Sequence, residues 1–259
     1  MNIDNETKFE EHIEAALLAS PLYIKRNPKD FDIKRRVDPD MLWQFLHAQT
    51  DTWNRLVKRF KSGDAALDAI IKDYNSKLDN GHSLVDILRK GLKIQGISVK
   101  LMQTKPTLAG EDSALHQLYL SNRFAVARQM RYSLDKADKG NELDLCILLN
   151  GFPIITAELK NEGTGQNYTN GIWQYRHDRD PKNAMLRTAL VHFVIDNNYA
   201  FMTTFLNGED TAFLPFNVDS VNPQVPGDYA TSYLWRDIWQ ADSLLNIIDH
   251  FIKNVQSDG

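Results

Sequence analysis

Two apolar runs joined by an Asn-Gly pair limit the folds that this chain can adopt. Residues 143–149 form an almost continuous apolar run, and residues 152–160 form a second run that ends in Glu-Leu-Lys. A continuous apolar run predicts a central strand covered on both faces, because a half-exposed strand alternates apolar and polar residues. Asn150-Gly151 is a strong signal for a tight hairpin. The chain is therefore predicted to contain a central β-hairpin with helices packed on both sides.

The rest of the chain alternates between helical and strand-like patterns. Apolar residues at helical spacing, with capping residues such as Asp38 before Pro39, predict helices at residues 7–19, 38–61, 64–80, 83–91, 166–178 and 232–255. Further strands are predicted at residues 97–103, 122–133, 190–196 and 199–206. In the strand at 122–133, alternation places Phe124, Val126, Met130 and Tyr132 on one face. Residues 20–37 and 207–231 are loop-like.

These elements predict an α+β or α/β fold in which a mixed β-sheet is flanked by helices. The length of 259 residues suits one large domain, or one domain with a helical appendage. We divide the chain into an N-terminal helix and loop at residues 1–37, a helical insertion at 38–91, and a sheet core with a C-terminal helix at 92–259.

Charge and cysteine content point to a cytoplasmic protein without a general nucleic-acid-binding surface. The net charge is −4, and from residue 188 onward two basic residues stand against nine acidic ones. Nucleic acid would therefore bind through a local groove. The single cysteine, Cys146, lies within an apolar run, which is typical of a buried thiol in a reducing compartment. The polar start is no signal peptide, and no apolar stretch is long enough to span a membrane.

Acidic-x-Lys triplets are the first chemical signal, and their context separates them. Four occur, beginning at Glu6, Asp32, Glu158 and Asp180. Only Glu158 and Lys160 lie at the end of an apolar strand, where alternate side chains share a face. Asp144 lies near the start of the preceding strand. A two-residue hairpin loop would turn Glu158 away from Asp144. A three-residue loop with a bulge and Gly151 in the left-handed region would place the two carboxylates opposite each other, so we predict the second arrangement.

Two adjacent carboxylates with a lysine one pleat away suit phosphodiester hydrolysis. Mg²⁺ takes oxygen ligands, and a nearby lysine can orient or deprotonate the attacking water and stabilise developing charge. A salt bridge at a sheet edge would use the same residues, so the pattern alone leaves both interpretations open.

A longer resemblance favours the catalytic interpretation. Residues 115–133 and 141–181, together with 199–217 and 227–252, resemble the N-terminal region of the R (restriction) subunit of type I restriction-modification enzymes. This resemblance implies a PD-(D/E)xK nuclease core. Residues 38–91 fit the resemblance poorly, and we interpret them as a helical insertion in this core. It also implies Mg²⁺-dependent cleavage of double-stranded DNA, and modification and specificity subunits as partners. ATP would act only through motor domains, and this chain has no phosphate-binding loop of the Walker A type.

The resemblance assigns the family's site by position. Asp144, Glu158 and Lys160 fill the catalytic positions, with Leu143 in place of the usual proline. Asp144, Glu158 and the backbone carbonyl of Leu159 would hold the metal. The first helix often lends a glutamate, for which Glu10 is preferred over Glu14.

The helix after this site in the sequence supplies candidates for DNA contact. The family's glutamine and tyrosine could be represented by Gln166, Gln174 and Tyr175, although Gly171 stands where a Gln-x-x-x-Tyr motif would place its glutamine. Arg176, Arg179 and Arg123 are candidate phosphate contacts, with Arg128 and Arg131 as similar ones. Tyr175 also shares a helical stripe with Tyr168 and Ile172, which is more typical of core packing.

Two other functions remain compatible with the sequence. One is a catalytically silent docking or DNA-binding domain that retains the nuclease fold. The other is a stand-alone nuclease for repair intermediates. Metal-dependent cleavage distinguishes the silent domain from both nucleases.

Overall fold

The computed structural model describes residues 6–108, 110–134 and 141–253. Its helices are α1 (Glu6–Leu18), α2 (Pro39–Ala48), α3 (Thr50–Phe60), α4 (Gly63–Asp79), α5 (Leu84–Lys90), α6 (Ala114–Leu120), α7 (Tyr168–His177), α8 (Ala184–Thr188) and α9 (Ala241–Asn246). Its strands are β1 (Tyr23–Lys25), β2 (Leu92–Ile94), β3 (Ile97–Val99), β4 (Phe124–Arg131), β5 (Glu142–Leu149), β6 (Phe152–Leu159), β7 (Val191–Ile195), β8 (Ala200–Thr203) and β9 (Leu214–Pro215). None of the helices in these ranges is both long and apolar enough to cross a membrane.

Seven strands form a mixed sheet in the order β1-β4-β5-β6-β7-β8-β9. Strands β4, β5 and β6 are antiparallel neighbours, whereas β1 runs parallel to β4 and β7 runs parallel to β6. Buried side chains form two clusters. The larger unites α1 and the helical block with the sheet, and the smaller includes Tyr175 of α7 and residues of α8. The predicted mixed sheet flanked by helices is confirmed.

The β5–β6 hairpin reaches the predicted register by a different route. Leu149 pairs with Phe152 across a two-residue loop in which Asn150 and Gly151 have φ values of 51° and 92°. The predicted three-residue loop is therefore wrong, because both central residues adopt the left-handed conformation of a two-residue hairpin turn. A bulge between Ile147 and Leu148 then shifts the pairing, so that Ile147 pairs with Ile155 and Leu145 with Ala157. Continued by one residue, this register places Asp144 opposite Glu158.

Strand β4 changes faces near its end, which the alternation of the sequence does not reveal. Phe124 and Val126 lie in the larger core cluster, whereas Met130 and Tyr132 lie in the smaller one. The prediction that all four share a face is wrong. Gln129 has a φ of 52°, a left-handed conformation that is uncommon for a residue with a side chain. This residue rotates the strand, so the two-residue periodicity does not hold across it.

Other differences from the predicted elements arise from tertiary contacts. The loop-like segment 20–37 contains β1, which is stabilised by pairing with β4. The helix predicted at 38–61 is divided at Gln49, whose side-chain amide donates to the carbonyl of Lys100 at 3.0 Å. The strand predicted at 97–103 is shorter and belongs to a separate two-stranded sheet with β2. The helix predicted at 232–255 is divided into π-helical turns at Leu234–Ile238 and Ile247–Phe251 on either side of α9.

The helical block of α2–α5 packs at the hairpin-turn end of the sheet. The N–H of Asp38, the N-cap of α2, donates to the carbonyl of Gly151 at 2.9 Å. The ring of Tyr74 in α4 lies 4.8 Å, centroid to centroid, from that of Phe152. Leu42, Ile70 and Phe152 belong to one buried cluster. The block is therefore part of the main core, while the segment boundaries given above stay a prediction.

Gly151→Ala is expected to destabilise the protein by about 3 kcal/mol or more. A Cβ at this position would lie 2.4 Å from the carbonyl oxygen of Asp38, in addition to the cost of a positive φ. Gly96→Ala is the matched control, because Gly96 also has a positive φ but has open space around its Cβ position. Chemical denaturation should give a loss of about 1 kcal/mol for the control. Equal losses for the two variants would show that the contact with Asp38 carries no energy.

Candidate active site

Asp144, Glu158 and Lys160 meet where β5 begins and β6 ends. The backbone N–H of Leu159 donates to Oδ2 of Asp144 at 2.7 Å, and Nζ of Lys160 lies 3.7 Å from the same oxygen. Lys160 is only 4% exposed, and its ammonium also donates to Glu6 in the first turn of α1 at 3.0 Å. The structure thus brings the three predicted residues together.

The other acidic-x-Lys triplets lie outside strands. Residues 32–34 follow the 3-10 turn Pro28–Asp30, and residues 180–182 lie in the turn between α7 and α8. The triplet beginning at Glu6 lies at the start of α1, and Glu6 itself contacts Lys160. The structure confirms that only Glu158 and Lys160 of these triplets lie at a strand end, while their catalytic role stays a prediction.

Glu158 is fully buried and is held by a single arginine. Arg179, 5% exposed, donates to Oε1 of Glu158 through Nε at 2.9 Å and through Nη2 at 2.7 Å. The same guanidinium donates to the carbonyl of Glu142 and lies over the ring of Tyr132. The second carboxylate oxygen of Glu158, Oε2, is buried and has no hydrogen-bond partner. A buried, unsatisfied carboxylate oxygen is costly in a fold and is a common feature of a ligand site.

The local electrostatics favour the protonated form of both Glu158 and Lys160 at neutral pH. Burial, reinforced by the charge of Asp144, raises the pKa of Glu158 to about 8 despite its contact with Arg179. Burial acts to lower the pKa of Lys160, but the charges of Asp144, Glu158 and Glu6 outweigh it and the pKa is raised. The lysine is therefore a cation at neutral pH.

Glu10 lies close enough to Asp144 to feel its charge. Its Oε1 accepts a hydrogen bond of 2.9 Å from the amide of Gln129, and its Oε2 lies 3.8 Å from Nε of Arg128. Burial, followed by the charge of Asp144, raises the pKa of Glu10 to about 7. Glu14 instead pairs with Lys25 at 2.8 Å. The structure therefore supports the preference for Glu10 at this site.

The carboxylates do not form a closed metal cage. Within the described part of the chain, no group of three or more His, Cys, Asp or Glu side chains is arranged to hold a metal ion. Asp144 and Glu158 are the neighbouring pair, while Glu10 is engaged by Gln129. The predicted part of the Leu159 carbonyl in metal binding stays a prediction.

Several residues predicted to contact DNA are buried, far from the site or engaged by other residues. Tyr175 is fully buried and shares a hydrogen bond of 2.8 Å with Thr156, which confirms core packing and makes its predicted contact with nucleic acid wrong for this structure. Arg123 lies at the opposite end of β4 from the site, with its guanidinium on the carbonyl of Leu120. The guanidinium of Arg179 is hydrogen-bonded to Glu158.

The remaining candidates differ in accessibility. Gln166 is exposed in the segment before α7, and Gln174 is half-buried with an Oε1 that has no hydrogen-bond partner. Arg176 donates to the carbonyl of Thr211 through Nε and Nη2. Their contacts with DNA stay predictions.

The structure gives Glu6 and Gln129 parts in the site that the sequence did not indicate, and it gives Arg179, a candidate phosphate contact, a different part. Glu6 pairs with Lys160, Gln129 orients Glu10, and Arg179 holds Glu158. Each contact joins segments far apart in the chain. For Arg179, the sequence suggested a phosphate contact instead.

Comparison with known proteins identifies the family. Residues 5–211 match the family model described as the N terminus of the type I restriction enzyme R protein. The chain belongs to this family. No curated protein matches it. The R-protein match confirms the predicted resemblance and runs through the helical block as well. It supports a role in a type I restriction complex that acts on DNA.

Gly171, which stands four residues before Tyr175, is closely packed in this R-protein domain. A Cβ at position 171 would lie 2.6 Å from Cγ1 of Val194 and 3.6 Å from Cβ of Glu158. Helix α7 therefore packs directly against β7 beside the candidate site. A glutamine at this position would not fit without displacing the helix.

Glu10→Gln is expected to raise the stability of the metal-free protein at pH 8 and to change it little at pH 5. The folded-state pKa of Glu10, about 7, lies above its ordinary value of 4.5. The stabilising contribution of this group is thus fully present below pH 4.5 and is lost as the pH rises through 7. Glutamine avoids a cost on the order of 1 to 3 kcal/mol at pH 8.

Thermal unfolding in EDTA at the two pH values measures this difference. Glu11→Gln is the control, because Glu11 lies on the same helix and its side chain is 59% exposed. An equal effect of Glu10→Gln at both pH values would contradict the assignment.

Proposed function

We propose that this chain is the endonuclease domain of a type I restriction enzyme R subunit, with a PD-(D/E)xK core that hydrolyses DNA phosphodiester bonds in the presence of Mg²⁺. The observation that supports this most is the buried, unpartnered Oε2 of Glu158 beside Asp144 and Lys160. Glu14, Asp73 and Asp228 also have a buried oxygen without a hydrogen bond, but Glu158 combines it with complete burial and with the charges of Asp144 and Lys160 close by. Here one oxygen is engaged and the other is left free in the interior.

Carboxylate oxygens are the ligand type that Mg²⁺ requires. Asp144 and Oε2 of Glu158 would hold the ion, with the carbonyl of Leu159 and, after a side-chain movement, Glu10 as further ligands. When bound, Mg²⁺ supplies Lewis-acid stabilisation of the phosphate and lowers the pKa of a bound water.

Lys160 carries the positive charge of the site. Its ammonium is fixed by Glu6 and lies next to Asp144. Because the surrounding carboxylates keep it protonated, its role is to stabilise negative charge developing on the scissile phosphate and to orient water as a hydrogen-bond donor. The sequence left open whether this lysine orients the attacking water or deprotonates it, and a protonated lysine can only orient it.

Arg179 positions Glu158. By holding Oε1 through two hydrogen bonds, it fixes the carboxylate with Oε2 directed away from the guanidinium. Carboxylates that bind metals are commonly held by such partners, and their loss typically weakens metal binding 10- to 100-fold.

The substrate and partners follow from the family. We propose double-stranded DNA as substrate, modification and specificity subunits as partners, and ATP-driven motor domains in the complete R subunit. The net charge of −4 and the acidic segment from residue 188 leave few phosphate contacts. The isolated chain should therefore bind DNA weakly at physiological salt.

A catalytically silent docking domain is the second candidate. It is favoured by the engagement of Glu158 with Arg179 and by the absence, among the described residues, of a complete three-ligand cluster. Metal binding separates the two functions.

Lys160→Ala in the complete R subunit is expected to abolish DNA cleavage and to leave ATP hydrolysis nearly unchanged. The lysine acts at the scissile phosphate, whereas ATP would bind in domains outside this chain. Nicking of supercoiled plasmid with Mg²⁺ and with EDTA measures cleavage. Lys34→Ala is the matched control, since Lys34 is exposed and belongs to an acidic-x-Lys triplet outside any strand. Cleavage by Lys160→Ala at the wild-type rate would exclude the lysine from the mechanism.

Arg179→Gln is expected to weaken Mn²⁺ or Mg²⁺ binding about 10- to 100-fold, and Arg179→Lys should weaken it less. Calorimetric titration of the metal into the 259-residue chain measures the affinity. Asp144→Asn serves as the variant without binding. Arg176→Gln is the matched control, because Arg176 lies on α7 and bonds to Thr211 instead of Glu158.

Arg179→Gln also leaves Glu158 buried without a cationic partner, so the folded fraction of this variant must be measured in parallel. If Arg179→Gln does not fold, Arg179→Lys is used for the metal titration instead. Tighter metal binding by either variant would show that Arg179 competes with the metal and does not position its ligand. No binding by the wild-type chain would favour the silent docking domain.

A further inference from the structure

A cavity of about 640 Å³ lies between the helical block and the sheet, and none of Asp144, Glu158 and Lys160 lines it. We call it the cationic cavity. The residues of its lining that matter here are Arg36, His82, Lys182, Arg187, His192 and Phe205. Its volume is within the range of ligand pockets and suits one or two nucleotide units, not a duplex.

The positive charges of this cavity are only partly neutralised. Lys182 and Arg187 are exposed and form no ion pair with any residue in the described part of the chain. Arg36 pairs with Asp79 at 2.6 Å, but its Nε is buried and has no acceptor. The carbonyl of Arg36 accepts a hydrogen bond from the hydroxyl of Tyr74, which anchors this residue to the core. The cavity therefore offers several donors to an anion, on a chain whose net charge is negative.

An exposed aromatic ring accompanies these cations. Phe205 is 71% exposed and lines the cavity. A phenyl ring in this position contributes little to folding, because most of its surface remains in water. Cations that follow a phosphate backbone, combined with an aromatic ring on which a base can stack, are the features by which proteins bind single-stranded nucleic acid.

Two short stretches of chain link the cavity lining to residues of the proposed cleavage site. Lys182 follows Arg179, the partner of Glu158, by three residues. His192 lies on β7 two residues before Val194, which pairs with Glu158 in the parallel register. Two strand residues span about 7 Å. His192 is buried and bonded to Thr156, and burial lowers its pKa to about 3, so this part of the lining is uncharged.

We propose that the cationic cavity binds a single-stranded segment of DNA, with phosphates on Lys182, Arg187 and Arg36 and a base stacked on Phe205. The choice of DNA rests on the proposed function, whereas the binding itself requires no metal. The helical block, which supplies His82 and Asp79, would thereby form one wall of a nucleic-acid site.

Fluorescence anisotropy with a labelled oligo-dT in EDTA tests this proposal. The double variant Lys182→Ala/Arg187→Ala should weaken binding and reduce the slope of log affinity against log salt by about 1.4, since each lost phosphate contact on a single strand accounts for about 0.7. Phe205→Ala should weaken binding about tenfold with an unchanged slope, because stacking involves no counterion release.

The matched control is Lys93→Ala/Lys100→Ala, which removes the same charge from exposed positions outside the cavity. The proposal is overturned if this control weakens binding as much as the cavity variant, or if Phe205→Ala has no effect. Equal loss of binding to a duplex of the same length would identify a duplex surface instead. Displacement of the oligonucleotide by an equal concentration of free nucleotide would identify a mononucleotide site.

Titration of Mn²⁺ into the wild-type chain is measured in parallel. If oligonucleotide binding behaves as expected but no metal binds, the proposed nuclease function is wrong and the proposal for the cationic cavity is retained. If metal binds and no variant alters oligonucleotide binding, the cavity proposal alone fails.

Discussion

Burial of Glu158 imposes the strongest constraint on this structure. A carboxylate without access to water requires compensation, and Arg179 supplies it through two hydrogen bonds to one oxygen. The same guanidinium reaches the carbonyl of Glu142 and the ring of Tyr132, so it connects the end of β6 with the beginning of β5 and the end of β4. An apolar pair of similar volume would often be equally stable. Stability alone therefore does not account for a buried pair with one unsatisfied oxygen.

The bulge in the β5–β6 hairpin is the second constraint. A strand presents alternate residues to opposite faces, so a shift of one residue would turn Glu158 from the face of Asp144 to the other face. With the register of the Asn-Gly turn alone, Asp144 would lie opposite Ala157. The bulge beside Ile147 and Leu148 shifts the pairing by one residue, so that Asp144 lies opposite Glu158. The site therefore depends on an irregularity several residues away from the side chains that it aligns.

The sequence predicted the central elements well because their signals are local. The apolar runs of β5 and β6, the caps at Asp38 and Ser83 and the helical stripe of α7 appear in the structure as expected. The grouping of Asp144, Glu158 and Lys160 was predicted as well, although by the wrong turn geometry. Strand β1 was missed since three residues carry no periodic signal and depend on β4 for pairing.

The parts of the site that were missed depend on contacts between distant segments. The hydrogen bond from Gln129 to Glu10 spans 119 positions, and that from Lys160 to Glu6 spans 154. Gln129 adopts a left-handed conformation that reverses the faces of β4. The sequence gives no signal for it, because glutamine does not favour that conformation. Physical patterns within a segment therefore identified the elements, whereas the partners of their charged side chains required the assembled fold.

The contact between Gly171 and Val194 has a consequence for sequence variation. Because the helix and the strand touch at van der Waals distance, the two positions cannot vary independently. A larger residue at 171 is compatible with the same helix position only if residue 194 becomes smaller, and the two substitutions together would differ in effect from the sum of each alone. Homologues with a glutamine on this helix should therefore carry a compensating small residue on the facing strand.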